Sequence, residues 1–203
     1  MKRRAQTKKK TVEDVEKIAR RQRKELAYHE AGRCVAAVEH GLAIKFVSLS
    51  ADGTAGAHIS RAIHLAADNP AAQIAAIESD IVVVLAGPSA QRRLRPWKRN
   101  FPECGDDLQL ARAWGSWAAF LASGMSGANV AELKADGLIE LTEEEKTFAD
   151  CLLNACEERA HRIVAEHWAN IIKIAEALLV RPVLNSDDID AILNEQPKPR
   201  RTP

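Results

Sequence analysis

Apolar and polar positions along most of this chain recur at helical spacing. Between residues 26 and 40, positions three and four apart define one helix face: Leu26, His29, Glu30, Arg33, Ala37 and His40. Gly41 follows as a C-terminal helix stop. A second helix is predicted to open at Pro70 and to carry the apolar run 81–86. It either ends at Gly87-Pro88 or continues beyond that pair with a kink.

Cap and stop signals predict three further helix starts, at Asp106, Thr142 and Ser186. Thr142 forms a capping box with Glu145. Gly124 ends the helix that begins at Asp106. The basic segment 92–99 contains Pro96 and is followed by Pro102 and Gly105, so it is predicted to be a solvated loop.

One short region shows the alternating pattern of β-strands instead of helical spacing. Residues 44–50 alternate apolar and polar side chains, Asp52-Gly53 supplies turn chemistry, and 55–60 can return as a second strand. The Ala-rich apolar fraction and only 4% aromatic residues favour packed helices over a sandwich or barrel. We therefore expect a mainly α, multihelical domain with a small β-hairpin.

Length and charge predict a single domain with two basic ends. A chain of 203 residues with 46% hydrophobic content can bury one full core. We expect a basic leader at 1–24, partly disordered or helical, a domain at 25–195, and a disordered tail at 196–203. The two ends, 1–10 and 198–203, hold nine basic residues, which leaves 20 basic against 28 acidic residues between them. The segment between the two ends is therefore acidic, which disfavours nucleic acid as a partner.

Targeting and redox signals are sparse. The start lacks the apolar run of a secretory signal, and no apolar stretch of 18 residues is free of charge, so we expect a soluble cytoplasmic protein without a membrane span. The four cysteines show no paired spacing and are predicted to be free thiols: Cys34, Cys104, Cys151 and Cys156.

The stretch 29–33, His-Glu-Ala-Gly-Arg, is one residue away from a zinc-peptidase motif. In H-E-x-x-H, the two histidines lie on one helix face and hold zinc, while the glutamate activates a metal-bound water. Arg33 stands here in place of the second histidine. A guanidinium stays protonated and has no lone pair for a metal, so it can only donate hydrogen bonds.

Several segments together resemble the peptidase domain of the FtsH-type ATP-dependent zinc metallopeptidases. They occur in family order across 26–193 and comprise the motif segment 26–32, Val-Leu-Ala-Gly-Pro-Ser-Ala at 84–90, Gly-Asp-Asp-Leu-Gln-Leu-Ala at 105–111, Gly-Met-Ser at 124–126, and the closing helices at 156–189. The resemblance implies the fold of that domain and a polypeptide substrate. It does not extend to ATP, because the chain has no G-x-x-x-x-G-K-[ST] loop. The oligomeric state stays open.

Carried over residue by residue, the resemblance makes His29 the first zinc ligand, Asp107 the distant ligand and Glu30 the general base. Arg33 breaks this set, so zinc should bind weakly or not at all. We expect either a metallopeptidase with weak or lost activity, or a non-catalytic peptide-binding or regulatory module. The strand at 55–60 could hold an extended peptide by edge addition in both cases.

Three arrangements of the altered site remain open. The guanidinium of Arg33 could bridge Glu30 and Asp107 by charge-assisted hydrogen bonds and so replace the charge of the metal. It could instead turn to solvent and leave the pocket vacant. A neighbour could also complete a zinc site: Cys34 points off the ligand face, whereas Cys104 and His58 could approach it.

Overall fold

The computed structural model describes residues 12–49, 55–59, 69–98, 104–124 and 141–195. This part of the chain forms six helices and three strands. In chain order they are α1 Val12–Glu39, β1 Ile44–Leu49, β2 Ala55–Ile59, α2 Pro70–Leu94, α3 Cys104–Ala122, α4 Glu143–Glu166, α5 Trp168–Val180, β3 Val183–Asn185 and α6 Ser186–Asn194. The predicted mainly α fold with a small hairpin is confirmed. The tail 196–203 and the first 11 residues of the leader lie outside the described residues.

The small sheet has one strand more than predicted. β1 and β2 pair antiparallel, with Val47 opposite Ala57, and β3 pairs antiparallel with the other edge of β1. The strand order is β2-β1-β3. β3 has only three residues, too few for an alternating pattern to predict it. The predicted turn at Asp52-Gly53 lies outside the described residues.

Several predicted helix ends are confirmed. Gly41 and Gly124 have φ of +66° and +77°, the left-handed conformation in which glycine ends helices without a Cβ penalty. At the start of α4, Thr142 and Glu145 form the reciprocal capping box. These local signals need only neighbouring residues, which explains why the sequence predicts them well.

Three predicted boundaries are wrong. Asp106 lies within the first turn of α3, where a carboxylate favours the positive end of the helix, and is not its cap. The cap of α6 is Asn185, one residue before the predicted Ser186. α2 starts at Pro70 and continues beyond Gly87-Pro88, as one of the two predicted alternatives had it, but it reaches Leu94, so the beginning of the predicted loop 92–99 is helical. Packing on both sides of α2 stabilises this continuation.

The rest of the basic segment 92–99 is tied to the fold by charge. The carboxylate of Glu25, which is only 2% exposed, contacts Arg95 Nη1 at 3.0 Å and Lys98 Nζ at 2.6 Å. Arg92 pairs with Glu157 at 3.1 Å, and the guanidinium of Arg93 lies over the Trp168 ring. These cations hold α2 against α1, α4 and α5, in contrast to the solvated loop that the sequence suggested.

α1 and α2 form the centre of the domain. α1 packs against α2, α5 and the sheet, and α2 packs against α3 and α4. Every residue of α2 from 81 to 91 is buried. By length and composition α2 is also the one described helix that could cross a membrane, but 56% of its most apolar stretch is buried against other elements, as in a core helix.

A glycine sets the distance between these two helices. A Cβ placed on Gly32 would lie 2.6 Å from the carbonyl oxygen of Ala86 and 2.7 Å from the Cβ of Ala90. Both distances are far below van der Waals contact, and the first atom belongs to helix backbone, which cannot move aside. α1 and α2 can therefore approach this closely only with glycine at position 32.

We expect Gly32→Ala to destabilise the protein by about 1–3 kcal/mol, because the added methyl forces the two helices apart. Urea unfolding followed by circular dichroism measures the change. Gly105→Ala is the matched control: its Cβ would meet no atom within 4 Å, so stability should stay constant or rise by up to about 1 kcal/mol. Equal stabilities for the two variants would contradict a tight helix crossing.

Candidate functional site

His29 lies in the middle of α1 and is directed at α2. His29 is only 4% exposed. A Cβ on Gly87 would lie 2.6 Å from both Cε1 and Nε2 of the imidazole, so the ring occupies the space that any other side chain at 87 would need. The Ala-Gly-Pro segment of α2 thus provides the slot for the motif histidine.

Asp107 reaches the same point from α3. Its Oδ2 lies 3.0 Å from His29 Nε2, and the residue is 8% exposed. The contact is an ion pair when the imidazole is protonated. The predicted proximity of His29 and Asp107 is confirmed, while their role as metal ligands stays a prediction.

Glu30 is buried next to this pair, with Oε1 4.0 Å from His29 Nε2. Burial raises the pKa of its carboxyl above the usual value, and the charges of Arg33 and His29 partly oppose the rise. A hydrogen bond from the Ala57 backbone on β2 also favours the charged form. This bond brings the edge strand directly against the motif helix.

Arg33 contributes a positive charge to the same cluster. Its Nη1 lies 3.9 Å from Asp107 Oδ1, an ion pair that is too long for a hydrogen bond. The side chain is 21% exposed, so it neither turns fully to solvent nor forms the predicted hydrogen-bonded bridge to Asp107. The guanidinium thus pairs with Asp107 through charge, and its charge also partly opposes the rise in the pKa of Glu30.

The donor set does not fit a peptidase zinc centre. Two ligands of a tetrahedral zinc, each about 2.0–2.1 Å from the ion, lie about 3.3 Å apart, close to the 3.0 Å between His29 and Asp107. The third position, however, holds the Arg33 guanidinium, which cannot coordinate. Within the described ranges, no group of three or more His, Cys, Asp or Glu side chains is arranged to hold a metal ion.

Among the neighbours whose side chains the structure describes, none forms a three-ligand group with His29 and Asp107. Cys34 is fully buried, and burial raises the pKa of its thiol to about 12, so forming a thiolate there is costly. His58 is exposed and stacks on Phe46, with ring centroids 4.0 Å apart, although it also borders a pocket beside Arg33. The side chain of Cys104 lies outside the described residues. Cys34, Cys151 and Cys156 are free thiols, as predicted.

Sequence reasoning missed two residues at the site. Asp80 of α2, 4% exposed, and Trp114 of α3 line a pocket of about 200 Å³ together with Arg33. Asp80 immediately precedes the apolar run 81–86, which we interpreted only as core. A carboxylate at the start of such a run was the one available signal, since burying a charge is costly unless it is functional or paired.

A larger cavity of about 590 Å³ opens near the C-terminal end of α1. It is lined by charged side chains of both signs, among them Glu78, Arg159 and Arg162. None of His29, Glu30, Arg33 and Asp107 borders it. Its size therefore does not make it part of the motif site.

The sequence matches no protein-family model, and no curated protein matches it significantly. The resemblance to FtsH-type peptidases consequently depends on the motif segments and on the convergence of His29 and Asp107. Any function for the site must be argued from its own geometry.

We expect the free energy of unfolding of Glu30→Gln, relative to that of the wild type, to increase as pH rises. Because burial raises the folded-state pKa of Glu30, the folded protein holds this proton above the unfolded pKa of about 4.5 and loses it at higher pH. The free energy of unfolding of the wild type therefore falls through that window, whereas glutamine does not titrate and can still accept from Ala57.

Urea unfolding of both proteins between pH 4 and pH 8 measures the difference. The control is Glu144→Gln, the same substitution at an exposed position of α4, which should show no such trend. A constant difference between wild type and Glu30→Gln at all pH values would contradict the burial of a titrating carboxyl.

Proposed function

We propose that this chain is a degenerate FtsH-type zinc metallopeptidase domain that binds extended polypeptide and hydrolyses it weakly or not at all. One observation carries the proposal. His29 and Asp107 meet at 3.0 Å beside the buried Glu30, as a peptidase site requires, while Arg33 places a guanidinium where the third ligand would stand.

Charge argues against zinc at this site. Two unit charges 4 Å apart interact by about 4 kcal/mol at an effective dielectric of 20, and a divalent ion near the Arg33 guanidinium would meet about twice that repulsion. The arginine also removes one of three protein donors. The cluster already has its cation, because Arg33 pairs with Asp107 and its charge partly opposes the burial-induced rise in the pKa of Glu30.

The edge strand β2 supports polypeptide binding. β2 is the outer strand of the β2-β1-β3 sheet, and no described strand pairs with its other edge. The Ala57 backbone bonds Glu30, so that edge runs past the motif helix. An extended peptide added along β2 would receive main-chain hydrogen bonds from the edge groups that Glu30 does not occupy, and would pass over the former catalytic residues.

We expect Arg33→His to restore zinc binding. A histidine at this position supplies the third donor and removes the repulsion, so zinc affinity should rise on the order of 100-fold or more over the wild type. Mass spectrometry of the metal content after zinc loading and dialysis measures it, and casein cleavage by the zinc-loaded variant reports whether Glu30 can still act as a base.

Arg33→Gln is the matched control, because it removes the charge without adding a strong ligand. Its zinc content should stay well below that of Arg33→His. Stoichiometric zinc in the wild type, together with casein cleavage, would contradict the proposal and favour a metallopeptidase completed by another ligand.

A second experiment tests the binding mode. The probe is a short fluorescein-labelled peptide of threonine and serine with one central leucine. We expect its fluorescence anisotropy to rise with added protein. Two further peptides carry N-methyl groups on alternate backbone nitrogens, one on the odd positions and one on the even positions. Every second amide of a paired strand faces its partner, so one of these peptides should lose binding and the other should keep it.

Each methylated peptide is the control for the other, because the two have the same composition and side chains and differ only in which amides are blocked. Equal binding of both would contradict strand pairing. Failure of the unmethylated peptide to bind would overturn the polypeptide-binding proposal.

A further inference from the structure

A stripe of cations runs along the exposed first half of α1. Residues 17–24 contain no acidic side chain, and basic residues recur there at spacings of three and four, which places them on one helix face: Lys17, Arg20, Arg21 and Lys24. All four side chains are exposed. Like charges one helical turn apart repel each other, so this face gains stability from an anion brought to it.

The stripe has little negative charge of its own to balance it. The acidic residues of this half of α1 precede the stripe, at positions 13, 14 and 16. Within the described part of the chain, no ion pair involves Lys17, Arg20 or Arg21. Glu25, the next acidic residue along α1, already pairs with two cations of the segment after α2. Acidic groups elsewhere in the body do not cancel the stripe, because about 0.1 M salt screens exposed charges beyond about 10 Å.

An exposed indole stands beside the stripe. Trp97 is 74% exposed and lies in a tight turn that the Lys98 N–H closes by donating to the Arg95 carbonyl at 3.1 Å. Both ends of this turn are held to α1, since Arg95 Nη1 and Lys98 Nζ contact the Glu25 carboxylate at 3.0 Å and 2.6 Å. Arg21 precedes Glu25 by about one helical turn. The fold thus presents a large flat ring to solvent, at a fixed place next to a row of positive charges.

These two features match the chemistry of a single strand of nucleic acid. Single-strand binding combines cations that follow the phosphates with an aromatic ring on which a base stacks. From Lys17 to Lys24 the helix rises about 10 Å, a length over which one strand carries about three phosphates at the duplex spacing of about 3.4 Å. The faces of paired bases are covered by their neighbours in the stack, so the Trp97 ring needs an unpaired base.

An anionic membrane surface fits the same features less well. A helix that lies in a membrane interface buries a broad apolar face that carries several Trp, Phe or Leu side chains. In the described first half of α1 and the turn beside it, the large exposed apolar side chains are Ile18, 37% exposed, and Trp97. One ring is enough to stack one base, but it is a narrow anchor for a bilayer.

We propose that the α1 stripe and Trp97 bind single-stranded nucleic acid, with the stripe cations on the phosphates and one unpaired base stacked on the Trp97 indole. DNA and RNA both carry these groups, so the site holds either strand. This inference is independent of the proposed peptide binding along β2.

The first test measures the fluorescence anisotropy of labelled oligothymidylate and oligouridylate, each of about 15 nucleotides, with the full chain between about 50 and 200 mM salt. The test variant combines Lys17→Gln, Arg20→Gln and Arg21→Gln, which preserve helix propensity. We expect the slope of log association constant against log salt to become shallower by about 2, at about 0.7 per lost phosphate contact.

The matched control combines Arg112→Gln, Arg159→Gln and Arg162→Gln at exposed positions of α3 and α4. It has the same net charge as the stripe variant and should keep the wild-type slope. Equal slopes for the stripe variant and the wild type, or equal losses in both variants, would overturn the inference. Failure of both oligonucleotides to bind, with binding to phosphatidylserine vesicles instead, would overturn it in favour of a membrane surface.

Trp97→Leu tests the stacked base separately. We expect it to weaken binding of both single strands about tenfold without changing the salt slope, because one stacking contact is lost and no phosphate contact. Trp97→Phe keeps a ring and should retain most of the affinity. A duplex of the same length should bind Trp97→Leu and the wild type equally. Equal single-strand affinities for Trp97→Leu and the wild type, or for Trp97→Leu and Trp97→Phe, would overturn the stacking role.

Discussion

The close crossing of α1 and α2 is the constraint on which the site depends. At Gly32 the backbone of α2 lies where a side chain would begin, and at Gly87 the imidazole of His29 fills the equivalent space in the other direction. The two helices interlock through these small positions, so α1 can neither rotate nor slide without a collision. The motif face is thereby fixed toward α3, and Asp107 meets His29 there.

Arg33 changes how the charges in this interlocked region are balanced. Two carboxylates, Glu30 and Asp107, are buried beside one imidazole, and buried charges persist only when they are paired. With histidine at position 33 the cluster would hold an excess of acceptors and would need an external cation. With arginine the chain supplies that cation itself. Arginine at position 33 therefore both excludes a metal ligand there and supplies positive charge to the buried carboxylates.

Local signals predicted much of the fold, whereas the site needed more. Thr142 and Glu145 show a capping box within four residues, and the helical spacing around His29 shows a face. Asp107 belongs to another helix, and only the family resemblance connected it with His29. Asp80 was missed because periodicity describes a helix face, not the neighbour that covers it. β3 forms only because β1 offers it an edge, a tertiary effect that three residues do not reveal.

Arg33 also borders both the cluster around His29 and the pocket beside β2. Its charge faces Asp107 on one side, while Asp80 lines the pocket on the other. A zinc-ligating histidine is shorter and neutral, so it would leave that pocket with a carboxylate and no fixed cation. The residue at position 33 therefore sets the charge both beside Asp107 and in the pocket next to β2.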